Sequence, residues 1–251
     1  MVLLKFKCII FDLDGTIYFG DKLADKANEV ISRAREIAQY VFFVTNNSAK
    51  TREQIWNKLI AMGIDVRKEE VISSSYTIAK YLNENHYTEI YCVGTKSLKR
   101  EIELAGISTN SNKPQAVVVG YNPDFKLNDL DELSNIELSN YKLIIANKER
   151  NYPKENGYIV PGAGPIVAAV ENLLNKQIDV VIGKPGSEML DIMLLNLDIK
   201  PNEICIIGDS YESDIKMAQN YGAKGIWISK KKKDDCICIG KLSDLLEMWN
   251  D

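Results

Sequence analysis

Short apolar runs rich in Val and Ile recur along the chain, at Val41–Val44, Val180–Ile182, Ile204–Ile207 and Gly225–Ile228, with stretches of helical periodicity between them. That alternation predicts strands joined by helices, and therefore an α/β fold built on a parallel sheet covered on both faces. An earlier run, Cys8-Ile9-Ile10-Phe11, ends in Asp12-Leu13-Asp14-Gly15-Thr16. Residues two apart on an extended strand project the same way, so Asp12 and Asp14 can share one side of the strand's exit. Like charges placed so close repel unless a cation or a proton relieves them, which makes the pair a candidate metal and acid/base site. The same pattern also serves as plain turn chemistry, with Asp bonding its own backbone and Gly taking positive φ.

Punctuation marks several helices. Thr51 and Gln54 have capping-box spacing and predict a helix running to about Met62 and stopped by Gly63. A second helix is expected from Ser213 to Tyr221, ended by Gly222. The middle third carries its own strand-like runs at Ile90–Val93, Ala116–Val119 and Leu143–Ala146, with helices expected over Ser97–Ala105 and Pro165–Asn175. It reads as a separate small α/β domain. The expected division is a core of residues 1–83 and 179–251 with an insert at 84–178. Within the insert, Gly157 to Pro165 reads as a loop dense in Gly and Pro, without the G-x-G-x-x-G arrangement of a dinucleotide site.

At 251 residues the chain can bury a large core and sits near the size at which one domain begins to divide. A net charge of −4 offers no general attraction to polyanions, so nucleic acid is not an expected partner. The segment Met1–Lys7 is too short and too soon charged for a secretory signal, and no apolar stretch approaches membrane-spanning length. A cytoplasmic location without membrane contact is expected. Five cysteines are odd in number, and Cys8 and Cys205 lie within apolar runs, so no disulfides are expected. The single histidine, His86, has no Cys or His neighbours with which to bind zinc in the usual spacing, so any general base is expected to be a carboxylate. The run Lys230–Lys233 is followed at once by Asp234 and Asp235 and reads as a solvated loop.

Four apolar runs finish in residues suited to phosphate chemistry: Asp12 and Asp14, then Thr45, then Lys184, then Asp209 with Asp214 five residues on. Open parallel sheets bind ligands at the carboxyl ends of their strands, so these groups are expected to converge. Pro185 disfavours helical backbone at Lys184 and leaves its ammonium free to face a pocket. Each residue also has an ordinary structural use, Thr45 at a helix start, Lys184 on a surface, Asp209 in a turn and Asp214 as a helix N-terminal charge. Their joint order after Val/Ile-rich runs favours a site.

With Asp12-Leu13-Asp14-Gly15-Thr16, Thr45-Asn46, Gly183-Lys184-Pro185, and Gly208-Asp209 followed by Asp214, the chain resembles the haloacid dehalogenase superfamily of phosphohydrolases. Val44–Ser48, Val118-Val119-Gly120, Pro161-Gly162-Ala163-Gly164 and Gly183–Pro185 are similar to its p-nitrophenyl phosphatase or NagD-like branch. The resemblance spans nearly the whole chain and implies a Rossmann-like core with an inserted α/β cap. It implies that Asp12 attacks the phosphorus of a small phosphomonoester to give an aspartyl-phosphate, and that Asp14 protonates the leaving oxygen and later activates water. It further implies Mg2+ between the Asp12 carboxylate, the Asp14 backbone carbonyl and Asp209, with Asp214 acting through water. Phosphate would be held by Thr45, Asn46 and Lys184, with Gly15 beside them. Where relatives commonly read Thr-Asn-Pro-Asp, this chain has Ala146-Asn147-Lys148-Glu149, so Asn147 and Glu149, with Arg150 and Tyr152 close behind, become candidates for substrate choice. A homodimer through the cap is also implied. A phosphotransferase or mutase with the same intermediate is the near alternative. A phosphoryl-storing receiver module is disfavoured by the acid at position 14 and by the insert.

Overall fold

The computed structural model describes residues 6–153 and 158–249. Gly157, the first residue of the Gly157–Pro165 loop, and most of the Met1–Lys7 segment lie outside them. The chain divides into two compact units, one drawn from Met1–Thr45, Trp56–Ile72 and Lys184–Asp251, the other from Asn46–Ile55 and Ser73–Gly183. The second unit therefore begins earlier and ends later than the 84–178 insert read from the sequence. The reason lies in its helix Ser74–Glu84, whose Ile78, Ala79 and Leu82 pack into the same cluster as Ile90 and Cys92.

The first unit is built on a six-stranded sheet in the order β14-β13-β12-β1-β4-β5. Its centre is β1 (Cys8–Asp12), which runs parallel to β12 (Ile204–Gly208) on one side and to β4 (Tyr40–Thr45) on the other. All five residues of β1 and of β12 are buried, as expected for strands with helices on both faces. β5 (Val71–Ser73) closes one edge, while β13 (Lys224–Ile228) and β14 (Ile237–Ile239) extend the other. A short hairpin of β2 (Tyr18–Phe19) and β3 (Lys22–Leu23) follows β1. Helix α1 (Ala27–Ile37) buries Ala27, Val30, Ile31 and Ala34, a stripe at helical spacing. Helix α2 (Arg52–Ala61), which begins in the second unit and continues into the first from Trp56, opens with the expected capping box. The Gln54 backbone N–H donates to Thr51 Oγ1 at 3.1 Å, and the Thr51 N–H donates to Gln54 Oε1 at 2.9 Å. Gly63 stops the helix with φ +81, where a side chain would be strained.

The second unit carries a four-stranded parallel sheet, β11-β8-β7-β6, from β6 (Ile90–Val93), β7 (Ala116–Val119), β8 (Lys142–Ile145) and β11 (Val180–Val181). Alternate residues face opposite cores. Ile90, Cys92, Ala116, Val118 and Ile144 join α3 (Ser74–Glu84) and α4 (Lys96–Glu103) on one face. Tyr91, Val93, Val117, Val119, Leu143 and Ile145 meet α5 (Asn128–Ser134) and α6 (Gly164–Leu174) on the other. Two differences from the sequence reading stand out. Val180–Val181 pairs with Ile144–Ile145 in this sheet, so Lys184 follows a strand of the second unit rather than one beside β1. The Gly157–Pro165 segment contains β10 (Ile159–Pro161), paired antiparallel with β9 (Asn151–Pro153). Its Pro and Gly residues masked a short exposed hairpin, since Pro is tolerated where no ladder donor is required. Among the described residues, no helix is long and apolar enough to cross a membrane.

One buried ion pair ties the first unit together away from its acidic centre. Glu70 is 3% exposed and accepts from Arg35 Nη1 at 2.8 Å, Arg35 Nη2 at 2.7 Å and the Arg67 backbone N–H at 2.9 Å. Burial alone would raise its pKa, but these donors outweigh that and hold it below the ordinary 4.5. Glu70→Gln is expected to destabilise the protein by about 1–3 kcal/mol in urea unfolding at neutral pH. Because the folded pKa is lowered, this contribution is present above the unfolded value and fades as pH falls through the folded one. The difference between wild type and variant should therefore shrink below about pH 4.5.

Candidate active site

The Lys184 ammonium lies between two carboxylates of the first unit, 2.5 Å from Asp12 Oδ1 and 2.6 Å from Asp214 Oδ1. All three side chains are less than a tenth exposed. Asp12 ends β1 and Gly208 ends the neighbouring β12, so Asp209 follows at the same end of the sheet. Asp214 is brought back toward them by the turn Tyr211–Ile215, a π-type coil capped by Ser210, whose hydroxyl accepts from the Ser213 N–H at 3.3 Å. The Ser210 N–H donates to Asp214 Oδ2 at 3.0 Å. A side chain at Gly208 would collide with the Asp214 carboxylate. At Gly15, φ is +93 and a Cβ would stand 2.5 Å from Asp209 Oδ2, so both positions need glycine.

Electrostatics set this cluster apart. Burial raises the Asp12 pKa well above the carboxylate range, with Lys184 opposing the shift and Asp214 and Asp209 adding to it. Asp209 stays open at the residue surface, yet protein atoms displace water from its carboxyl, and with Asp214 they push it up to about 6. Lys184 is held charged: burial works against its ammonium, but Asp12 and Asp214 outweigh burial and raise its pKa. Carboxylate oxygens of Asp12, Asp209 and Asp214 lie within 4.8 Å of one another, and Asp12 Oδ2 is buried with no hydrogen-bond partner among the described residues. Three acids facing one ammonium leave negative charge uncompensated. A hard-oxygen set with an unused buried oxygen fits a divalent cation.

Asp14 stands apart from those three carboxylates. Its Oδ2 accepts from Tyr18 OH at 3.1 Å and from Thr45 Oγ1 at 3.3 Å. Tyr18 is a site residue that the sequence reading passed over, because an aromatic after an apolar residue reads as core. Burial, then Asp14, raises its pKa, so the phenol keeps its proton and remains a donor. Thr45 is buried at the end of β4. Ser210 was likewise missed, although a Ser just before a helical turn is a cap signal.

The remaining candidates belong to the second unit. Asn46 Nδ2 donates to Glu149 Oε1 at 2.8 Å, the Asn46 carbonyl accepts from Asn147 Nδ2 at 3.0 Å, and the Glu149 N–H donates to Asn147 Oδ1 at 3.1 Å. Asn147 is buried and Arg150 is exposed. Gly162 and Gly164 wrap this loop, their N–H groups donating to the Arg150 and Glu149 carbonyls at 2.9 and 2.8 Å. Tyr152 OH donates to Tyr121 OH at 3.1 Å, with the rings edge-on at 5.8 Å.

Residues 9–108 match the haloacid dehalogenase-like hydrolase family, and residues 181–237 match a second, HAD-hydrolase-like family. The acid sugar phosphatase of Staphylococcus epidermidis is 31% identical over 225 residues, covering 89% of this chain and 86% of that one. This chain belongs to the haloacid dehalogenase-like hydrolases. The chloroplastic phosphoglycolate phosphatase 1A of Arabidopsis thaliana is 29% identical over 244 residues, covering 87% of this hydrolase and 67% of the plant protein. Among solved structures, a 4-nitrophenylphosphatase from Thermotoga maritima superposes with a TM-score of 0.89 at 25% identity, covering 99% of each chain. A p-nitrophenyl phosphatase from Archaeoglobus fulgidus shares the fold, with a TM-score of 0.85 at 22% identity, covering 97% of this hydrolase and 99% of that chain.

The glycine at the end of β12 offers a direct check on the acid cluster. Gly208→Ala is expected to displace Asp214 and lower hydrolytic turnover roughly 10²-fold, the effect of about 1 Å of misplacement, while far-UV circular dichroism stays that of the folded protein. A fully active variant would show that the Asp214 position does not matter.

Proposed function

We propose that this hydrolase is a Mg2+-dependent phosphatase that cleaves small phosphomonoesters through an aspartyl-phosphate on Asp12. The observation that carries the reading is the buried Lys184 ammonium held between Asp12 and Asp214, beside the third acid Asp209 and the unpartnered Asp12 Oδ2. A carboxylate approaching a phosphate at about 4 Å meets roughly 4 kcal/mol of repulsion per pair of unit charges at an effective dielectric near 20. Lys184 offsets part of this. Mg2+, held by Asp12, the Asp14 backbone carbonyl and Asp209 with Asp214 acting through water, would supply the rest of the positive charge.

In the proposed reaction, Asp12 forms a bond to phosphorus and the ester oxygen departs with a proton from Asp14. Asp14 then takes a proton from the water that cleaves the acyl phosphate. The hydroxyls of Tyr18 and Thr45 hold the Asp14 carboxylate in place for both transfers. Thr45, Asn46, the Gly15 backbone and Lys184 are the proposed phosphate contacts. Asn147, Glu149, Arg150 and Tyr152 are proposed to select the rest of the substrate, a phosphorylated sugar, glycolate or nucleotide. The names of the relatives support this class. We also propose that residues 84–178 act as a cap, that the protein pairs through it, and that it works in the cytoplasm.

Asp12→Asn should abolish p-nitrophenyl phosphate turnover, and retained turnover would remove Asp12 as nucleophile. Asp14→Asn should lower kcat roughly 10²- to 10⁴-fold, the worth of a positioned acid/base. Treatment with EDTA should remove activity and added Mg2+ should restore it; a rate indifferent to chelation would exclude the metal.

A further inference from the structure

Five thiols are free, and they fall into two groups. Cys8, Cys92 and Cys205 are buried within strands, and burial pushes Cys8 and Cys92 up to about 12. Cys236 and Cys238 flank Ile237 at the start of β14, the edge strand of the first unit's sheet. Both are half-buried, and their sulfurs lie 3.8 Å apart. The proposed reaction uses neither. They follow directly on the lysine run and Asp234-Asp235, to which the sequence assigned only solvation.

This corner of the sheet is wired to the acidic turn. Asp235, adjacent to Cys236, accepts from Tyr211 OH and from Gln219 Nε2, the latter at 3.1 Å. Lys233 Nζ sits 3.3 Å from the Tyr211 ring centroid. Tyr211 opens the turn that carries Asp214, and its ring packs edge-on against Trp227 at 5.3 Å. Trp227 Nε1 in turn donates to the Asp209 carbonyl at 2.8 Å. A chain of contacts through Asp235, Tyr211 and Trp227 therefore links Cys236 to Asp209 and to the turn that carries Asp214.

We propose that Cys236 and Cys238 are a reversible redox pair, oxidised by a hydroperoxide to an intrachain disulfide that loosens the turn bearing Asp209 and Asp214. Cys238 is the attacking sulfur, because the Lys233 N–H donates to its Sγ at 3.4 Å and exposed lysines precede it. Its thiolate breaks the O–O bond and takes one oxygen as a sulfenic acid, and the other oxygen leaves as an alcohol or water with a proton from solvent. The Cys236 thiol then attacks that sulfur, an S–S bond forms and water departs. Two electrons pass from the sulfurs to the hydroperoxide. The sulfurs must close from 3.8 Å to about 2.05 Å, within reach of a cysteine rotamer change. Closing so small a ring also bends the backbone at Cys236, which moves the neighbouring Asp235 and draws it from Tyr211. A half-buried pair at a sheet edge closing so small a ring belongs to the labile, reducible disulfides.

The effect on activity rests on the phosphatase reading, whereas the disulfide itself does not. Full-length protein would be treated with hydrogen peroxide, alkylated and mapped by peptide mass spectrometry, with kcat on p-nitrophenyl phosphate followed in parallel. The peptide bearing both cysteines should lose two hydrogens and regain them with dithiothreitol, and kcat should fall about 2- to 30-fold and recover. Cys236→Ser and Cys238→Ser should keep the reduced-state kcat and form no disulfide. Alkylation of both thiols after peroxide overturns the pair. A disulfide without change in kcat overturns its coupling to the turn. Inactivity before any oxidation contradicts the phosphatase reading instead, and the mass measurement still decides the disulfide.

Discussion

A single buried ammonium makes the acidic centre of this hydrolase compatible with folding. Asp12 and Asp214 are almost wholly enclosed, and two carboxylates buried together without a cation would carry a severe desolvation and repulsion cost. Lys184 meets both at hydrogen-bond distance, and their charges hold its proton in place. Asp209 stands beside them as a third acid, and among the described residues Asp12 Oδ2 has no hydrogen-bond donor. Burying these acids thus depends on the charge Lys184 neutralises, and the acidity that is left is what the proposed divalent ion would meet. The three side chains that settle this charge balance are also the ones the proposed phosphate chemistry would use.

The backbone around that centre is shaped to permit it. Parallel pairing of β1 with β12 places Phe11 opposite Ile207, so the acids that follow each strand leave the sheet at one end. Gly208 and Gly15 each omit a side chain that would strike one of the carboxylates. The turn Tyr211–Ile215 is wider than an α-helical turn and returns Asp214 toward the strand ends. Tyr211 and Trp227 brace that turn from outside, and they are the route by which the proposed disulfide at the β14 edge would act on it.

Most of the elements can be read directly from local patterns. Thr51 and Gln54 announce a capping box, Gly63 and Gly222 announce the ends of helices Arg52–Ala61 and Lys216–Tyr221, the latter starting three residues later than expected because Tyr211–Ile215 forms the wider turn, and apolar runs such as Ile90–Val93 become strands with the bounds expected. These are local signals, carried by side-chain periodicity and by residues with narrow backbone preferences. The exposed hairpin of β9 and β10 escaped because Pro and Gly there look like a loop, and Tyr18 escaped because its ring resembles core while its hydroxyl does the bonding. The sheet to which Val180–Val181 belongs could not be read either, since an apolar run carries no mark of its partner.

By itself, the order of residues determined the fold class, many of the strand and helix positions, and which acids, hydroxyl and amine are proposed to handle phosphate, because motif spacing and periodicity are properties of the chain. Only the tertiary structure decided that Lys184 is shared between Asp12 and Asp214, that Asp14 is held by Tyr18 and Thr45, and that Asn46 bonds to Glu149. Pairings between residues far apart along the chain depend on sheet register and on which charges are buried together, and neither is written in any one segment.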